Sequence, residues 1–197
     1  MILIDPGHGG KDPGAVYGQR ESDIVLAIGK ELASLLAATG RTSALTRDSD
    51  MHLHVNKSLD LATRVQRAQY ADCLVSLHCN AATNSQAKGI EVFTSKGQDH
   101  SDPLAEYVIK SLMAAFPLRK FRINQTDGDL DKEADFYVLR KSPCPAILVE
   151  LGFLSNEEEG AWLGNRAVQL HLAMALCAGI MTRYMLPGIF NSPQTGV

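Results

Sequence analysis

The chain has 197 residues, of which 45% are hydrophobic and 21% are charged, and its formal net charge is -3. This length fits one globular domain with a sizeable core, and the composition is not that of a disordered protein. The slightly acidic balance, without a run of lysine or arginine, argues against nucleic-acid binding. No apolar stretch reaches the roughly 20 residues needed to span a bilayer, so we expect no membrane insertion.

The N-terminal segment does not resemble a secretory signal peptide, because its apolar stretch at residues 1–4 is short and no basic region precedes it. We therefore expect synthesis without a signal peptide. The four cysteines, Cys73, Cys79, Cys144 and Cys177, form no CxxC pair and no zinc-finger spacing. In a chain of this length we expect small buried hydrophobic residues rather than a disulfide framework.

Strand and helix patterns alternate along the chain, which predicts an α/β fold with a largely parallel or mixed sheet. In chain order we expect a strand at 1–5, a helix at 23–38, a strand at 42–46, a helix at 59–69, strands at 71–78 and 89–94, a helix at 103–116, a strand at 145–150 and a helix at 167–184. The polar segment 119–133 is expected to be a loop. The domain is expected to span 1–185, followed by a frayed tail at 186–197.

Residues typical of metal sites follow three of the predicted strands. His8 comes just after the first strand, His78 ends the third, and Glu150 ends the apolar run AILV of the fifth. Glu21 stands just before the first helix. Ligands of open α/β sheets bind beyond the carboxyl ends of the strands, so these side chains meet at one edge if the strands are parallel neighbours.

Two histidines and one carboxylate, with a fourth position open to water, are the recurring ligands of catalytic zinc. Zinc lowers the pKa of its water to about 7 and polarises a carbonyl group. A second carboxylate can then move the proton of the water to a leaving amine. We expect His8, Glu21 and His78 as zinc ligands and Glu150 as the base.

Each of these residues also has a structural interpretation. His8 fits a solvated residue in a glycine-rich turn, and Glu21 fits an acidic residue that stabilises a helix N-terminus. Glu150 is harder to explain structurally, because a charge at the end of an apolar strand is costly without a partner or a function. Asp5 either orients a metal ligand or helps to set the turn after Pro6.

Four sequence blocks, ILIDPGHGGKDPGA, ESDIVLAIGKELASLL, SLHCNAA and VELGFLSN, resemble in order and spacing the zinc-dependent N-acetylmuramoyl-L-alanine amidases of the amidase-3 type. The resemblance runs from residue 2 to about residue 183. It implies a single α/β domain with a twisted, mostly parallel sheet and helices on both faces. It also implies cleavage of the amide between N-acetylmuramic acid and the L-alanine of the peptidoglycan stem peptide. By this resemblance His8, Glu21 and His78 match the ligands of one zinc ion, and Glu150 matches the catalytic glutamate.

The resemblance also suggests two substrate contacts. Asn80 follows the second histidine in the HxN pattern of the family and is expected to line the site. Arg140, in the segment FYVLR, either binds a carboxylate of the stem peptide or is an ordinary surface arginine. Cys79 lies next to a ligand, but its side chain is expected to point away from His78 in an extended strand.

Other residues near these blocks have no assigned contact with substrate. Arg64 and Arg67, on the second predicted helix, are expected to form structural ion pairs. His52, His54, His100 and His171 match no block and are expected to be solvated or packed. The segment 119–135 is too short and polar for a helical plug of the kind found in some periplasmic relatives, so we expect an open site, although Glu133 could reach the metal from that loop.

We expect a monomeric enzyme whose partner is peptidoglycan and which acts on the cell wall after release or export. A phage or prophage endolysin, a lytic autolysin or a sporulation lysin would each fit. Three alternatives remain open: a zinc peptidase that cuts within the stem peptide, a wall-binding module without activity, and an α/β domain without metal.

Overall fold

The computed structural model describes residues 1–126 and 128–185. Within this part of the chain, six strands form one sheet in the order β2-β1-β3-β6-β4-β5. The strands are β1 (Ile2–Pro6), β2 (Ser43–Leu45), β3 (Cys73–Asn80), β4 (Glu91–Thr94), β5 (Lys132–Glu133) and β6 (Ala146–Phe153). The helices are α1 (Glu21–Ala38), α2 (Lys57–Arg67), α3 (Asp102–Ala115), α4 (Tyr137–Arg140), α5 (Glu157–Leu163) and α6 (Arg166–Met185), and a short 3-10 helix at Ala68–Tyr70 follows α2.

The sheet is mixed but mostly parallel. β1 pairs in parallel with β2 and β3, β3 pairs in parallel with β6, and β4 pairs in parallel with β5. The pairing of β4 with β6 is antiparallel. Strands β1, β3 and β6 are therefore adjacent and point the same way, which brings their carboxyl ends to one edge of the sheet.

Helices cover both faces of the sheet. Alternating residues of each strand point to opposite faces, and in β1 the side chains of Ile2 and Ile4 join one core cluster while Leu3 joins another. The larger cluster lies under α1, α3 and α6, and the smaller one lies under α2 and α4. The expected single α/β domain, with helices on both faces of a mostly parallel sheet, is confirmed.

The elements differ from those predicted in ways that have local causes. β6 continues past Glu150 to Phe153, because Leu151 and Phe153 are buried like the apolar residues before them. Helices α4 and α5 and the two-residue strand β5 were not predicted, since each is too short to show a periodic pattern. The predicted tail at 186–197 lies outside the described residues.

Two further expectations concern the chain as a whole. The four cysteines are free, and Cys73, Cys79 and Cys177 are buried, as predicted for small hydrophobic residues. Among the described helices, we find none that combines the length and the apolar character required to cross a membrane.

Candidate active site

The segment from Pro6 to Gly10, here called the His8 loop, leaves the end of β1 in an unusual conformation. His8 has a φ of 59°, in the left-handed region that few non-glycine residues adopt, and Gly9 and Gly10 follow with φ of 121° and 61°. Gly7 faces the ring of His78, and a Cβ atom at Gly7 would lie 2.2 Å from His78 Cε1. The glycines thus let the backbone turn directly beside the second histidine.

The side chains of His8, Glu21 and His78 converge on one point. Glu21, the first residue of α1, places Oε1 3.1 Å from Nε2 of His8 and 2.9 Å from Nδ1 of His78. One donor atom from each of the three side chains lies within 4.8 Å of the other two. The expected ligand set is therefore assembled from β1, α1 and β3.

Backbone groups hold the Glu21 carboxylate in place. Its Oε1 accepts a hydrogen bond from the Cys79 amide at 3.0 Å, and its Oε2 accepts one from the Ala15 amide at 2.9 Å. Asp12 lies on the far side of His8, with Oδ2 3.0 Å from Nδ1 of the ring. A carboxylate on the second nitrogen of a metal-binding histidine fixes the orientation of the ring and raises its basicity.

The electrostatics of the three residues follow from this arrangement. Burial raises the pKa of Glu21, but the hydrogen bonds and charges of His78 and His8 outweigh burial and hold that pKa well below its ordinary value. Burial lowers the pKa of His8, and the opposing effects of Glu21 and Asp12 leave it raised. The Glu21 side chain is therefore an ionised carboxylate, the form in which it would bind a cation.

Glu150 faces the same point from the neighbouring strand. Its Cα is the register partner of His78 between β6 and β3, and both side chains line one cavity. Burial, followed by the negative charges of Glu21 and Glu91, raises the pKa of Glu150 to about 7. Within the described residues its Oε2 is buried without a hydrogen-bond partner. A carboxyl group of this kind is suited to accept and donate a proton near neutral pH.

The cavity beside these residues has a volume of about 600 Å³, within the range of sites for small ligands. His52, His54 and Val55 form part of its wall, and Phe136 and Tyr137 form another part. The two histidines had been expected to be solvated or packed, because they stand in an irregular segment that matches no motif. No sequence pattern could have placed them at the site. His171, by contrast, packs against Phe116, with ring centroids 4.5 Å apart.

The two expected substrate contacts, Asn80 and Arg140, are not among the residues that line the cavity. Asn80 donates from Nδ2 to Glu91 at 2.7 Å, and Glu91 also holds Arg122 and Lys132. Arg140 pairs with Asp135 at 2.7 Å and is 47% exposed. Contacts of Asn80 and Arg140 with substrate stay predictions.

The structure also places the residues whose roles the sequence left open. Cys79 points into the hydrophobic core, as expected for a side chain opposite to His78 in an extended strand. Glu133 lies on the edge strand β5, where it accepts a hydrogen bond from the Gly97 amide, and it does not line the cavity. Arg64 forms ion pairs with Asp5 and Asp60, as expected, whereas Arg67 donates to the carbonyl of Thr46.

The donor set fits a zinc ion. Two imidazole nitrogens and a carboxylate oxygen point at one place, and this combination recurs in catalytic zinc sites that keep a position open for water. Two of the three donor residues, His8 and His78, line the cavity, so a small molecule can approach the donors from that side. Glu150 stands close by as a carboxyl group that is not one of the three converging donors.

Comparisons with known proteins identify the family of the chain. The family model for N-acetylmuramoyl-L-alanine amidases matches residues 2–182. AmiC of Escherichia coli O6:H1 is 32% identical over 91% of this chain, and YqiI of Bacillus subtilis is 32% identical over 93%. This chain spans 52% of the length of AmiC and 84% of the length of YqiI.

Solved structures show the same fold. The amidase of Clostridium difficile 630 is 32% identical with a TM-score of 0.84, and the match covers 95% of this chain and 97% of that one. AmiC2 of Nostoc punctiforme is 35% identical with a TM-score of 0.83, over 94% of this chain and 97% of that one. With a family match that spans nearly all of the described residues, the chain belongs to the N-acetylmuramoyl-L-alanine amidase family.

Proposed function

We propose that this chain hydrolyses the amide bond between N-acetylmuramic acid and the L-alanine of the peptidoglycan stem peptide, with one zinc ion per chain. Two observations carry this proposal: His8, Glu21 and His78 converge on one point, and His8 and His78 share a cavity with Glu150. Membership of the amidase family supports the choice of substrate, since all four of these site residues lie within the region that the family model matches.

His8, Glu21 and His78 would hold the zinc ion. When bound, zinc supplies a nucleophile at neutral pH by lowering the pKa of water, and it polarises the carbonyl group that is attacked. Neighbouring residues hold these side chains in a form suited to bind a cation: Glu21 is ionised, Asp12 orients His8, and Gly7 leaves room for the ring of His78.

Glu150 would move the proton in this reaction. The oxygen of water forms a bond to the carbonyl carbon, and Glu150 accepts the proton that this water releases. The bond between carbon and nitrogen then breaks, and Glu150 returns the proton to the leaving nitrogen. The products are the lactyl carboxylate of the sugar and the free amino group of L-alanine, so the carboxyl group ends the cycle in the state in which it began.

The size and lining of the cavity suit a bulky substrate. Its wall is lined by apolar and aromatic side chains, including Val55, Phe136 and Tyr137, together with the cationic side chains of Lys11 and Lys57. Such a surface suits a glycopeptide that carries carboxylates. We retain Asn80 and Arg140 as proposed substrate contacts, to be tested by their effect on KM.

We propose cell-wall lysis as the biological role, by a phage or prophage endolysin or by a lytic autolysin that acts after release or export. A relative from Bacillus anthracis, 35% identical, is named as a cell wall amidase. The CwlD amidase of Clostridioides difficile has been solved in complex with the GerS lipoprotein. For this chain we propose a monomer; the four site residues meet within one chain, so the site needs no residue from a second copy.

Digestion of purified peptidoglycan tests the activity. We expect new amino termini of L-alanine and no new reducing sugars, together with one zinc ion per chain in the purified protein. A zinc peptidase would release amino termini of other stem-peptide residues, and a wall-binding module would bind the polymer without releasing any. Either result would overturn the proposed reaction.

A further inference from the structure

The carbonyl groups of the His8 loop need partners beyond the sheet. β1 ends at Pro6, and His8 is held at a positive φ, a backbone conformation that is unfavourable for a residue with a side chain. A loop in this conformation persists only where its surroundings impose it. Two buried arginines form part of these surroundings.

Arg64 and Arg47 bind three successive carbonyl groups of the His8 loop. Arg64, on α2, donates to the carbonyl oxygens of Pro6 and His8 at 2.8 and 2.7 Å. Arg47 donates to the carbonyl oxygens of Pro6 and Gly7 at 3.0 and 2.7 Å. Arg47 also donates to the carbonyl of Ser22 at 2.7 Å, which lies next to Glu21 in α1. Together the two guanidinium groups link the backbone at His8 to the backbone next to Glu21, and these are two of the three expected metal ligands.

The two buried cations are satisfied in different ways: Arg64 forms ion pairs with Asp5 and Asp60, whereas Arg47 donates to backbone carbonyl oxygens. Arg64 and Arg47 are 3% and 2% exposed. Asp5 lies 2.8 Å from Arg64 and also accepts hydrogen bonds from Thr46 and Ser76, so its carboxylate is fixed in turn. A guanidinium group has five donors spread over three nitrogens in a rigid plane, whereas the ammonium group of lysine has three donors on a single nitrogen and cannot reach acceptors that lie so far apart.

Arg64 also connects the His8 loop to the opposite wall of the cavity. Its Nε donates to Oδ1 of Asp60 at 2.7 Å, and Oδ2 of Asp60 accepts hydrogen bonds from the amides of Leu53 and His54 at 2.7 and 3.1 Å. The segment 51–56, here called the wall segment, contributes His52, His54 and Val55 to the cavity lining. One guanidinium group thus holds both a metal-binding loop and a wall of the substrate cavity.

We propose that Arg47 and Arg64 are positioning residues that hold His8 and Glu21 in their metal-binding arrangement, and that the pair Arg64–Asp60 fixes the wall segment relative to the metal. This inference rests on the proposed function, because it assigns a role toward the metal. An arginine with a purely structural role would lower the thermal stability without a specific effect on metal affinity. The two roles are therefore separable by experiment.

The test compares four variants of the whole chain: R64K, R47K, D60N and the control R67K. Arg67 is on the same helix but donates to the carbonyl of Thr46 rather than to the His8 loop. Zinc affinity is measured by competition with a chromophoric chelator, well below the thermal midpoint of each variant. Far-UV circular dichroism checks that each variant is folded, and kcat and KM are measured on a soluble muropeptide.

We expect R64K and R47K to weaken zinc affinity by about 10-fold or more, the range typical of residues that orient metal ligands. D60N is expected to raise KM with a smaller change in zinc affinity. R67K is expected to keep the KM and the zinc affinity of the unmodified protein. The absorption spectrum of the cobalt-substituted protein should change in R64K and R47K and stay unchanged in R67K.

Two results separate this inference from the proposed function. If the unmodified protein binds zinc and cleaves the amide while R64K and R47K bind zinc with unchanged affinity, the inference alone is wrong. The inference is also wrong if R67K weakens zinc binding as much as R64K does. If the unmodified protein takes up no zinc, both the inference and the proposed function are wrong.

Discussion

Glu150 on β6 and His78 on β3 are direct register partners on adjacent parallel strands. Their side chains line the same cavity, and one oxygen of Glu150 has no hydrogen-bond partner among the described residues. Because the position of Glu150 relative to His78 is set by backbone pairing, substitution of its carboxyl group should leave the neighbouring metal ligands in place.

We therefore expect E150Q to lower kcat on peptidoglycan by about 10²- to 10⁴-fold, the range for loss of a general acid–base group. Zinc content should stay at one ion per chain, because glutamine preserves the size of the side chain and Glu150 is not one of the three converging donors. The control is E133Q, at an exposed carboxylate outside the cavity, which should keep full activity. Full activity in E150Q, or loss of its zinc, would contradict this assignment.

Removal of zinc should abolish activity and lower the thermal midpoint. Dialysis against a strong chelator is expected to reduce hydrolysis to background, and added zinc should restore it. Zinc that binds only the folded state stabilises the chain by about 2.7 kcal/mol when its free concentration is 100 times Kd. H78A should show neither the stabilisation nor the recovery, whereas H100A, at an exposed histidine, should show both. Undiminished hydrolysis by protein shown to be free of metal would rule out a metal-dependent reaction.

Gly7 should be essential for the position of the second histidine. In G7A the new Cβ would lie 2.2 Å from Cε1 and 2.4 Å from Nε2 of His78, so the ring must move. We expect zinc affinity to fall by about 10-fold or more, as for other changes that misalign a ligand. In the control G18A the backbone has a φ of 69° but nothing lies within 4 Å of the new Cβ. That variant should lose stability without losing zinc affinity, and an equal loss of affinity in both variants would contradict the prediction.

Asp131 should make stability depend on pH. Burial, together with the nearby charges of Asp129 and Asp102, raises its pKa to about 7 in the folded chain, against about 3.9 in an unfolded one. Its contribution to stability is therefore fully present below pH 4 and is lost as the pH rises to about 7, because the unfolded chain releases this proton more easily. The free energy of unfolding should fall over that interval.

D131N removes this titration. We expect it to be more stable than the unmodified protein at pH 8, by about 1–3 kcal/mol, with a smaller difference at pH 5. Urea unfolding at the two pH values measures the effect, and D48N, at an exposed aspartate, is the control. If the difference in stability between D131N and the unmodified protein were the same at pH 5 and pH 8, the raised pKa of Asp131 would be contradicted.

Much of the fold and the main residues of the site could be predicted from sequence, because they leave local patterns. Apolar runs marked β1, β3 and β6, and the residues that follow or end those runs include His8, His78 and Glu150. The parallel order of the strands then brought these residues to one edge, since carboxyl ends of adjacent parallel strands coincide.

The remainder depends on contacts between distant parts of the chain. Arg47 is buried under the His8 loop, yet a single arginine in a sequence looks like a surface residue. For Arg64 the sequence predicted ion pairs but not the hydrogen bonds to the carbonyl groups of the His8 loop. His52 and His54 reach the cavity because Asp60 binds the backbone of the wall segment, a contact that has no periodic signal. Short elements such as α4 and β5 form for the same reason, through tertiary contacts rather than through local propensity.

The order of the strands in the sheet has a consequence for biosynthesis. The three proposed metal ligands all lie within the first 80 residues, whereas Glu150 lies on β6, which is placed between β3 and β4 in the middle of the sheet. During synthesis from the N-terminus, the proposed metal ligands are therefore made before the proposed proton-transfer group. The proposed site is complete only once β6 has paired with β3 and β4.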